Sequence, residues 1–374
     1  MEQGQPERSA SPARSRIALR FVLIIGIASL FSDFTYEGAR GVLGPYLAFL
    51  GATGTAVGII TGLGEFLGYG LRLVSGRLAD ATRQFWPITI AGYVLQMSSV
   101  PLLALTTRWE WAAVLIVLER IGKAIRNPPR DVMLSYAAQD AGGHGWAFGV
   151  HEALDQCGAM LGPLAVSVVL GLSGDYRLAF AALAVPAVLN VTVIIIARLA
   201  YPDPTQLAPP AEPEEGAALP RRFWVYLAGA ALVAIGFADY PLIAFHFSKA
   251  GIVDGRLIAI FYAVAMAVSG GGSLLFGRLF DRLGFSVLIV LTIVSAGFAP
   301  LVFLGGFWMA LAGAALWGLG MGVHESIIPA AVAPMVRQEH RATAFGLFTA
   351  GYGFAWFARS SSASRPSWRR CRCS

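Results

Sequence analysis

Gly76-Arg77-Leu78-Ala79-Asp80 ends one apolar segment of the chain, and Gly277-Arg278-Leu279-Phe280-Asp281 ends another, 201 residues later. A second pair of similar stretches lies near the same offset: Ala147-Phe148-Gly149 and Ala344-Phe345-Gly346 each open an apolar segment. The sequence therefore indicates two copies of one plan, in which each pentapeptide forms a tight, charged turn between two membrane-length helices. Parallel halves of this size are typical of secondary transporters.

The composition is that of an integral membrane protein. Of 374 residues, 56% are hydrophobic and 13% are charged, about half the ~25% charged share of soluble domains. The net charge of +6 comes from basic residues scattered between apolar segments, without a contiguous stripe. We interpret them as signals of membrane orientation and expect no nucleic-acid partner. The three cysteines, Cys157, Cys371 and Cys373, have no metal-site or disulfide spacing.

A window of about 20 residues marks out eleven membrane spans, separated by glycine-rich turns. The predicted spans are 19–45, 55–76, 86–106, 111–136, 145–171, 177–199, 223–248, 257–277, 285–305, 308–335 and 343–358.

The basic residues lie mostly at alternate ends of these spans. A cytoplasmic amino terminus puts few of them outside, namely Arg108, Arg177, Lys249 and Arg256. The inside then receives Arg14, Arg16, Arg20, Arg77, Arg83, Arg126, Arg130, Arg198, Arg221, Arg222, Arg278, Arg282, Arg337 and Arg341. The positive-inside tendency predicts a multi-pass protein of the cell (inner) membrane with its amino terminus in the cytoplasm.

A proline-rich, acidic stretch divides the chain. Residues 201–220 contain six prolines together with Glu212, Glu214 and Glu215, a composition that favours a linker over a packed segment. A cleaved signal peptide competes as an explanation of the basic start, but no small-residue cleavage site follows it. The predicted units are a cytoplasmic tail (1–16), a six-helix bundle (17–200), a cytoplasmic linker (201–221), an incomplete five-helix bundle (222–358) and an Arg/Ser-rich tail (359–374).

The last residues do not resemble a membrane segment. After Phe357 the chain carries five arginines and several serines, with no further apolar stretch. Following an eleventh span, this basic tail would lie outside, against the positive-inside tendency. Our hypothesis is a frameshifted or truncated end, with a twelfth helix in a complete relative.

The two turns resemble the signature loop of the major facilitator superfamily, which has the pattern Gly-x-Leu-x-Asp. The second copy continues with Arg282 and Gly284 as that family does, whereas the first has Ala81 and Thr82. The resemblance implies an all-α polytopic membrane protein with two six-helix bundles in pseudo-twofold symmetry, here about eleven helices. It also implies a secondary transporter that works by alternating access, and no enzyme activity.

The fourth span carries an unusual number of charges. Arg120 and Lys123 are candidate cavity residues, because charges within the bilayer must face protein or a wet cavity. Leu118-x-Arg120 resembles the family's fourth-helix motif, whose arginine is associated with proton-coupled transport. We interpret Arg126, Arg130 and Asp131 as part of an ion-pair lattice. Pro128 and Pro129 predict a kink or an end of the helix.

Two acids and a small-residue motif mark the fifth span. Glu152 and Asp155 are candidates for proton or substrate coupling, with Asp155 roughly 15 Å from the cytoplasmic end. A structural salt bridge to the fourth helix is the alternative. Gly158-x-x-x-Gly162-Pro163 predicts close helix packing and resembles the fifth-helix motif of the family's antiporters.

Other candidates for the cavity come from three further spans. In the first, Asp33, Glu37 and Arg40 follow i, i+4, i+7 spacing and share a face. In the family the first and seventh helices line the cavity, and the seventh here offers Asp239, with Tyr240 and His246. The tenth adds His324 and Glu325, and in the second Glu65, Tyr69 and Arg72 share a face. No spacing predicts a metal site.

The paired turns predict a gate. An aspartate at a helix end can accept hydrogen bonds from the backbone at the start of a helix in the other half, and from an arginine there. Such contacts would hold the outward-facing state and break when the protein opens inward. The gating candidates are Gly76, Asp80, Arg83, Gly277, Asp281 and Arg282.

These patterns favour a proton-coupled transporter that exports a small organic solute. Uptake of an anionic solute is the alternative, motivated by Arg40, Arg120 and Lys123, and a non-transporting sensor or pseudo-transporter is another. An enzyme would need a nucleophile with its base, or a metal cluster, and the sequence shows neither. We expect a monomer in lipid, driven by the proton gradient, without a cofactor.

Overall fold

The computed structural model describes residues 11–208, 219–237, 240–253 and 255–363, and within them it contains helices and no strands. The helices of the first half are α1 (Pro12–Phe49), α2 (Gly54–Thr82), α3 (Phe85–Leu102), α4 (Trp109–Ala138), α5 (His144–Ser173), α6 (Tyr176–Ala182) and α7 (Ala184–Ala200). Those of the second half are α8 (Arg221–Gly236), α9 (Tyr240–Ala250), α10 (Gly255–Leu283), α11 (Phe285–Ala296), α12 (Phe298–Leu304), α13 (Phe307–Gly322), α14 (Ile328–Ala330) and α15 (Arg341–Ala363).

The two halves meet through two equivalent pairs of helices. Within the first half, α1 packs against α5 and α7, and α4 packs against α2 and α3. Between the halves, α5 packs against α10, and α2 packs against α15. Each of these interfaces joins the second span of one half to the fifth span of the other, so the duplication of the sequence is also a duplication of contacts.

Small residues allow the close approaches. A Cβ at Gly158 or Gly162 of α5 would collide with carbonyl oxygens of α1, so only glycine lets these two helices lie so close. Pro163 follows inside the continuous helix α5. Between the halves, a Cβ at Gly76 would collide with the Ala342 carbonyl oxygen. The equivalent glycine, Gly277, lies against the Gly145 carbonyl oxygen.

The predicted end of the helix at the paired prolines is wrong, and the alternative, a kink, stays a prediction. Helix α4 continues through Pro128 and Pro129 to Ala138. Pro128 lacks the N–H that would bond the carbonyl four residues earlier, on Ala124. The hydroxyl of Ser75 on α2 donates to that carbonyl oxygen at 2.8 Å. A neighbouring helix thus supplies the missing donor, as happens at prolines in membrane helices.

Eight segments of the described residues are long and apolar enough to cross a membrane. The helices outside that set are α4, α8 with α9, and α15. In α4 the reason is its charges, which lie between Glu119 and Asp131. This helix can nevertheless sit in the bundle because α2 and α3 cover it and because its charged groups find partners there.

Helices α1 and α15 extend beyond the membrane spans predicted for them. Helix α1 already begins at Pro12, where the Ser11 side chain accepts a hydrogen bond from the Arg14 backbone, so residues 12–16 are helical. In the linker, Pro204–Leu207 forms a 3₁₀ turn with Leu207 buried, because α7 brings this segment back onto the core of the first half. Helix α15 runs to Ala363. The acidic part of the linker and the end of the tail, at 209–218 and 364–374, lie outside the described residues.

We predict that Ser75→Ala lowers the free energy of unfolding by roughly 0.5–1.5 kcal/mol, because it leaves the Ala124 carbonyl without a donor. Thermal unfolding in detergent measures the change. Ser173→Ala is the matched control, since Ser173 makes only local hydrogen bonds, to Val169 and Asp175, at an exposed site. Equal melting temperatures for the two variants would contradict the role given to Ser75.

Candidate functional site: a charged centre between two latched halves

Two aspartates join the halves at one end of the bundle. Asp80, near the end of α2, accepts hydrogen bonds from the backbone N–H groups of Ala342 and Thr343, at 3.1 and 2.7 Å. Asp281, near the end of α10, accepts bonds from the N–H groups of Gly145 and Trp146, both at 2.7 Å. We call these two sets of contacts the latches, and the end of the bundle that carries them the latch end.

Each latch caps a helix of the opposite half. The bonded N–H groups are the second and third of α15 and of α5, which an N-cap side chain normally satisfies. Helix α5 has no such cap of its own, because its N-cap residue is Gly143. A carboxylate from the other half therefore takes this place in both copies of the repeat.

Among the described residues, Arg83 and Arg282, the arginines expected at the latches, do not pair with the latch aspartates in this state. The backbone N–H groups already occupy the carboxylate oxygens. One arginine that does contact the other half is Arg278, whose guanidinium carbon lies 3.6 Å from the ring centroid of Trp146.

Farther from the latch end, a charged cluster fills the centre of the first half. Arg120 pairs with Glu65 at 3.0 Å and with Glu119 at 3.4 Å, and it donates a hydrogen bond to the Tyr36 hydroxyl at 2.5 Å. The Lys123 ammonium lies 4.2 Å from the centroid of the Tyr36 ring. Lys123 forms no ion pair within the described ranges, so it is a cation that an incoming anion could reach.

Arg126 belongs to a separate and drier network. Its side chain is 1% exposed and donates to Gln96 at 2.6 Å, to Tyr93 at 3.1 Å and to Ser32 at 3.0 Å. The amide of Gln96 also donates to Glu119 at 2.9 Å and so links the two networks.

Arg130 continues this network toward the latch end. It pairs with Asp131 at 2.7 Å and donates to Ser29, whose hydroxyl shares a hydrogen bond with His151 at 2.8 Å. These contacts hold α1, α3, α4 and α5 together.

A carboxylate of each half binds the same amide at the interface. The side-chain nitrogen of Gln156 on α5 donates to Glu152 at 2.5 Å and to Glu325 of the second half at 2.8 Å. Glu325 lies in a π-helical turn, Val323–Ile327, between α13 and α14. Such turns are frequent at functional sites. We call Glu152, Gln156 and Glu325 the carboxyl bridge.

Two further acids, Asp33 and Asp155, lie next to the network of Arg126 and Arg130. Asp33 is 8% exposed, and its nearer oxygen is 3.9 Å from Arg126, too far for a hydrogen bond. Asp155 interacts electrostatically with Asp33 and with Arg130 and Lys123. One oxygen of each aspartate is buried without a hydrogen-bond partner among the described residues. Either oxygen could therefore take up a proton without breaking a hydrogen bond to the protein.

The second half presents aromatic rings to the centre. His324 bonds Tyr352 at 2.5 Å and lies against Phe237, with 4.4 Å between the ring centroids. Tyr240 packs against Tyr262 with 4.8 Å between the ring centroids, and Tyr262 lies close enough to Glu37, Arg40 and Glu325 to interact electrostatically with them. The charged wall of the first half thus faces an aromatic wall in the second.

The end opposite the latches is more open. Glu37 pairs with Arg40 at 3.2 Å, and half of the Arg40 side chain is exposed. On α2, Phe66 packs on Phe354 of α15. One and two turns farther from the latch end on the same face, Gly62 and Gly58 have no described atom within 4 Å of a Cβ. The described contacts between the halves are therefore concentrated toward the latch end.

Two residues that the sequence suggested for the cavity, Asp239 and His246, are not seen in the charged centre, and two residues of the centre were not suggested by the sequence. Asp239 lies outside the described residues, and His246 packs against Phe303, with 5.0 Å between the rings. No group of three His, Cys, Asp or Glu side chains suited to a metal occurs in the described part of the chain. The sequence analysis missed Gln96 and Tyr262. An amide inside the otherwise apolar α3 was the available signal for Gln96.

A duplicated all-helical membrane bundle, with a charged centre and its halves latched at one end, defines a secondary transporter. The profile of the Major Facilitator Superfamily matches residues 25–358. The chain belongs to this family and is a membrane transporter, not an enzyme.

Related sequences and structures agree. The chain is 41% identical over 346 residues to an uncharacterized protein of Mycobacterium tuberculosis, covering 90% of this chain and 84% of that one. It is 26% identical over 339 residues to an uncharacterized MFS-type transporter of Methanocaldococcus jannaschii, covering 87% and 83%.

Solved structures share the fold. The structure of the MFS transporter FucP in the outward conformation matches with a TM-score of 0.64 and 15% identity, covering 92% of each chain. That of the human organic anion transporter MFSD10 (TETRAN) matches with a TM-score of 0.69 and 14% identity, covering 95% of this chain and 93% of that one.

We predict that Asp80→Asn loosens the latch end, because a neutral amide binds the helix N-terminus more weakly than a carboxylate. Spin labels at Arg77→Cys and Glu339→Cys, one in each half, measure the distance. We expect a larger share of long distances in the variant. The control is Asp203→Asn, because Asp203 is exposed and caps only the 3₁₀ turn. With the same labels it should give the distance distribution of the unaltered protein. An Asp80→Asn variant that gives the same distribution as this control would refute the latch.

Proposed function

We propose that the chain is a proton-coupled secondary active transporter that moves a small organic solute by alternating access, with export as the preferred direction. The carboxyl bridge is the observation that carries this proposal, because it places acids of both halves on one amide. The proton gradient supplies the energy, and a monomer without a cofactor suffices.

A proton at the bridge couples to the position of the halves. The Gln156 amide donates to both acids but is neutral and cannot balance two negative charges, whereas one bound proton removes the charge of one carboxylate. Two ionised groups 4 Å apart repel by about 4 kcal/mol at an effective dielectric constant of 20. Loss of the proton therefore pushes the halves apart at this point, and its return draws them together.

The solute site follows from the walls of the centre. Arg120 and Lys123 both lie over the Tyr36 ring of the first half, and Tyr36 interacts electrostatically with Tyr262 of the second half, which packs against Tyr240. Asp155 interacts electrostatically with Lys123, and Asp33 lies 3.9 Å from Arg126, so a solute and a proton can compete for neighbouring groups. Such competition is what an antiporter requires.

We place the latch end in the cytoplasm of a cell (inner) membrane protein, with the amino terminus on the same side. Support comes from the arginines at that end, among them Arg77, Arg83, Arg278 and Arg282. The described state, latched at that end, is then outward-facing.

Uptake of an anionic solute is the second candidate. It is favoured by Lys123 and Arg72, which make no ion pair within the described ranges, and by the half-exposed Arg40. An anion that enters with protons would bind this surplus of positive charge. Transport assays with charged and neutral compounds separate the two candidates.

We predict that Glu325→Gln abolishes proton-driven transport while solute exchange persists, because the amide keeps the shape of the bridge and cannot ionise. Proteoliposomes that contain a pH-sensitive dye are challenged with a panel of organic cations, anions and neutral compounds under an imposed pH gradient. Outward solute flux with inward proton flow supports export, and accumulation of an anion with protons supports uptake.

Glu339→Gln is the control, because Glu339 forms only an exposed ion pair with Arg337. It should transport like the unaltered protein. Proton-driven flux that survives in Glu325→Gln would overturn the role of the bridge. Absence of any solute-dependent flux in the unaltered protein would instead favour a sensor.

A further inference from the structure

Ion pairs balance most of the charge in the centre. Arg40 and Arg130 each pair with one acid. Arg120 pairs with two acids, and one of them, Glu65, also interacts electrostatically with Arg72. Cations and acids are therefore equal in number in this part of the centre, and it has no net charge to offer to a solute.

Four further acids of the described centre lie beside only two further cations. They are Asp33, Glu152, Asp155 and Glu325, which we call the central acids, with Lys123 and Arg126. Asp155 interacts electrostatically with Asp33 and with both cations, and Glu325 interacts with Asp33 and Lys123. The nearby His151 and His324 bond hydroxyl groups and make no ion pair within the described ranges. When the central acids are ionised, two negative charges are therefore in excess.

Two of the central acids lack hydrogen-bond donors. Asp33 is 8% exposed, and neither Asp33 nor Asp155 accepts a hydrogen bond from the residues that the structure describes. An ionised carboxylate without donors is costly to keep inside a protein. A solute that donates hydrogen bonds to these carboxylates would remove much of that cost.

An opening between the halves reaches the central acids at Glu325. This residue is exposed, although its Oε2 accepts a hydrogen bond from Gln156 of the other half. Tyr262 interacts electrostatically with Glu325 and packs against Tyr240, so aromatic rings border the same acid. The face of an aromatic ring attracts a cation. Both the acids and the rings at this opening therefore favour a positively charged solute.

We propose that the solute is an organic cation with N–H donors, such as a primary ammonium or a guanidinium, and that it binds between Asp33, Asp155 and Glu325. This inference rests on the proposed function and names the class of its solute. The N–H groups donate to the carboxylates, and the positive charge offsets one of the two excess negative charges. Protons that bind the same acids release the cation, which is the exchange that an exporter needs.

Calorimetric titration of the full chain in detergent tests the class with matched probes. Phenethylguanidinium, phenethyltrimethylammonium and 3-phenylpropionate share one apolar group, and a butyl series repeats the comparison. We expect the guanidinium compounds to bind more tightly than the quaternary ammonium compounds, which lack N–H donors, and the carboxylates not to bind. Tighter binding of the carboxylates, or no binding of either guanidinium compound, overturns the proposal. Proton-driven flux of another class of compound in proteoliposomes would then leave the proposed function standing.

Two variants with opposite expected effects test the site. Asp33→Asn should weaken guanidinium binding roughly tenfold, the usual cost of one hydrogen bond to a charged group. Lys123→Gln removes a competing cation and should tighten the same binding, whereas a site for an anion would lose affinity. Asp175→Asn is the control, because Asp175 is exposed and caps only α6, where asparagine serves equally well.

Elution and melting of each variant confirm that it is folded. Unaltered guanidinium binding in Asp33→Asn, or weaker binding in Lys123→Gln, overturns the assignment of these acids to a cation.

Discussion

The arrangement of the two halves depends on one interaction, made twice: a carboxylate at the end of one helix accepts the unpaired N–H groups at the start of a helix in the other half. The bond is strong because the N–H groups in the first turn of a helix have no acceptor within the helix and carry partial positive charge. It is also breakable, because water can replace each partner at the membrane surface. Asp80 and Asp281 therefore fix a state without making it permanent.

Glycine makes this interaction possible. The aspartates reach the opposite backbone because Gly76 and Gly277 let α2 and α10 lie against α15 and α5. Away from the latch end, the halves meet through polar and aromatic side chains. These contacts can break when the halves move apart. The carboxyl bridge lies in this region, between the latches and the more open end of the bundle.

The centre is asymmetric although the fold is duplicated. In the first half, Arg120 pairs with Glu65 and Glu119 and donates to Tyr36. Arg126 is buried and its guanidinium donates to three neighbouring side chains. Among its described residues, the second half offers aromatic rings and the acid Glu325 to the same space. A duplicated scaffold has thus specialised, with one half supplying charge and the other an apolar surface.

The sequence predicts the fold well because apolar length and the repeated Gly-x-Leu-x-Asp turn are local signals. The residues of the latch could also be named, since Asp80 and Asp281 recur at a fixed offset. Their partners on α15 and α5 could not, because backbone N–H groups carry no sequence signature.

The continuity of α4 through Pro128 depends on Ser75, 49 residues away from the carbonyl that it bonds. The carboxyl bridge joins side chains 169 residues apart. Such pairings depend on tertiary packing, which periodicity and composition do not encode.

The central claim is that the halves rock about the interfaces between α2 and α15 and between α5 and α10. Distances between spin labels test it most directly. One pair, at Arg77 and Glu339, reports on the latch end. The other pair, at Leu172 of α5 and Leu304 of α12, reports on the end of the bundle opposite the latches. Measured in lipid nanodiscs across a range of pH, each pair should show two populations, and one distance should lengthen as the other shortens. Distances that stay single, or that lengthen together at both ends, would contradict the account.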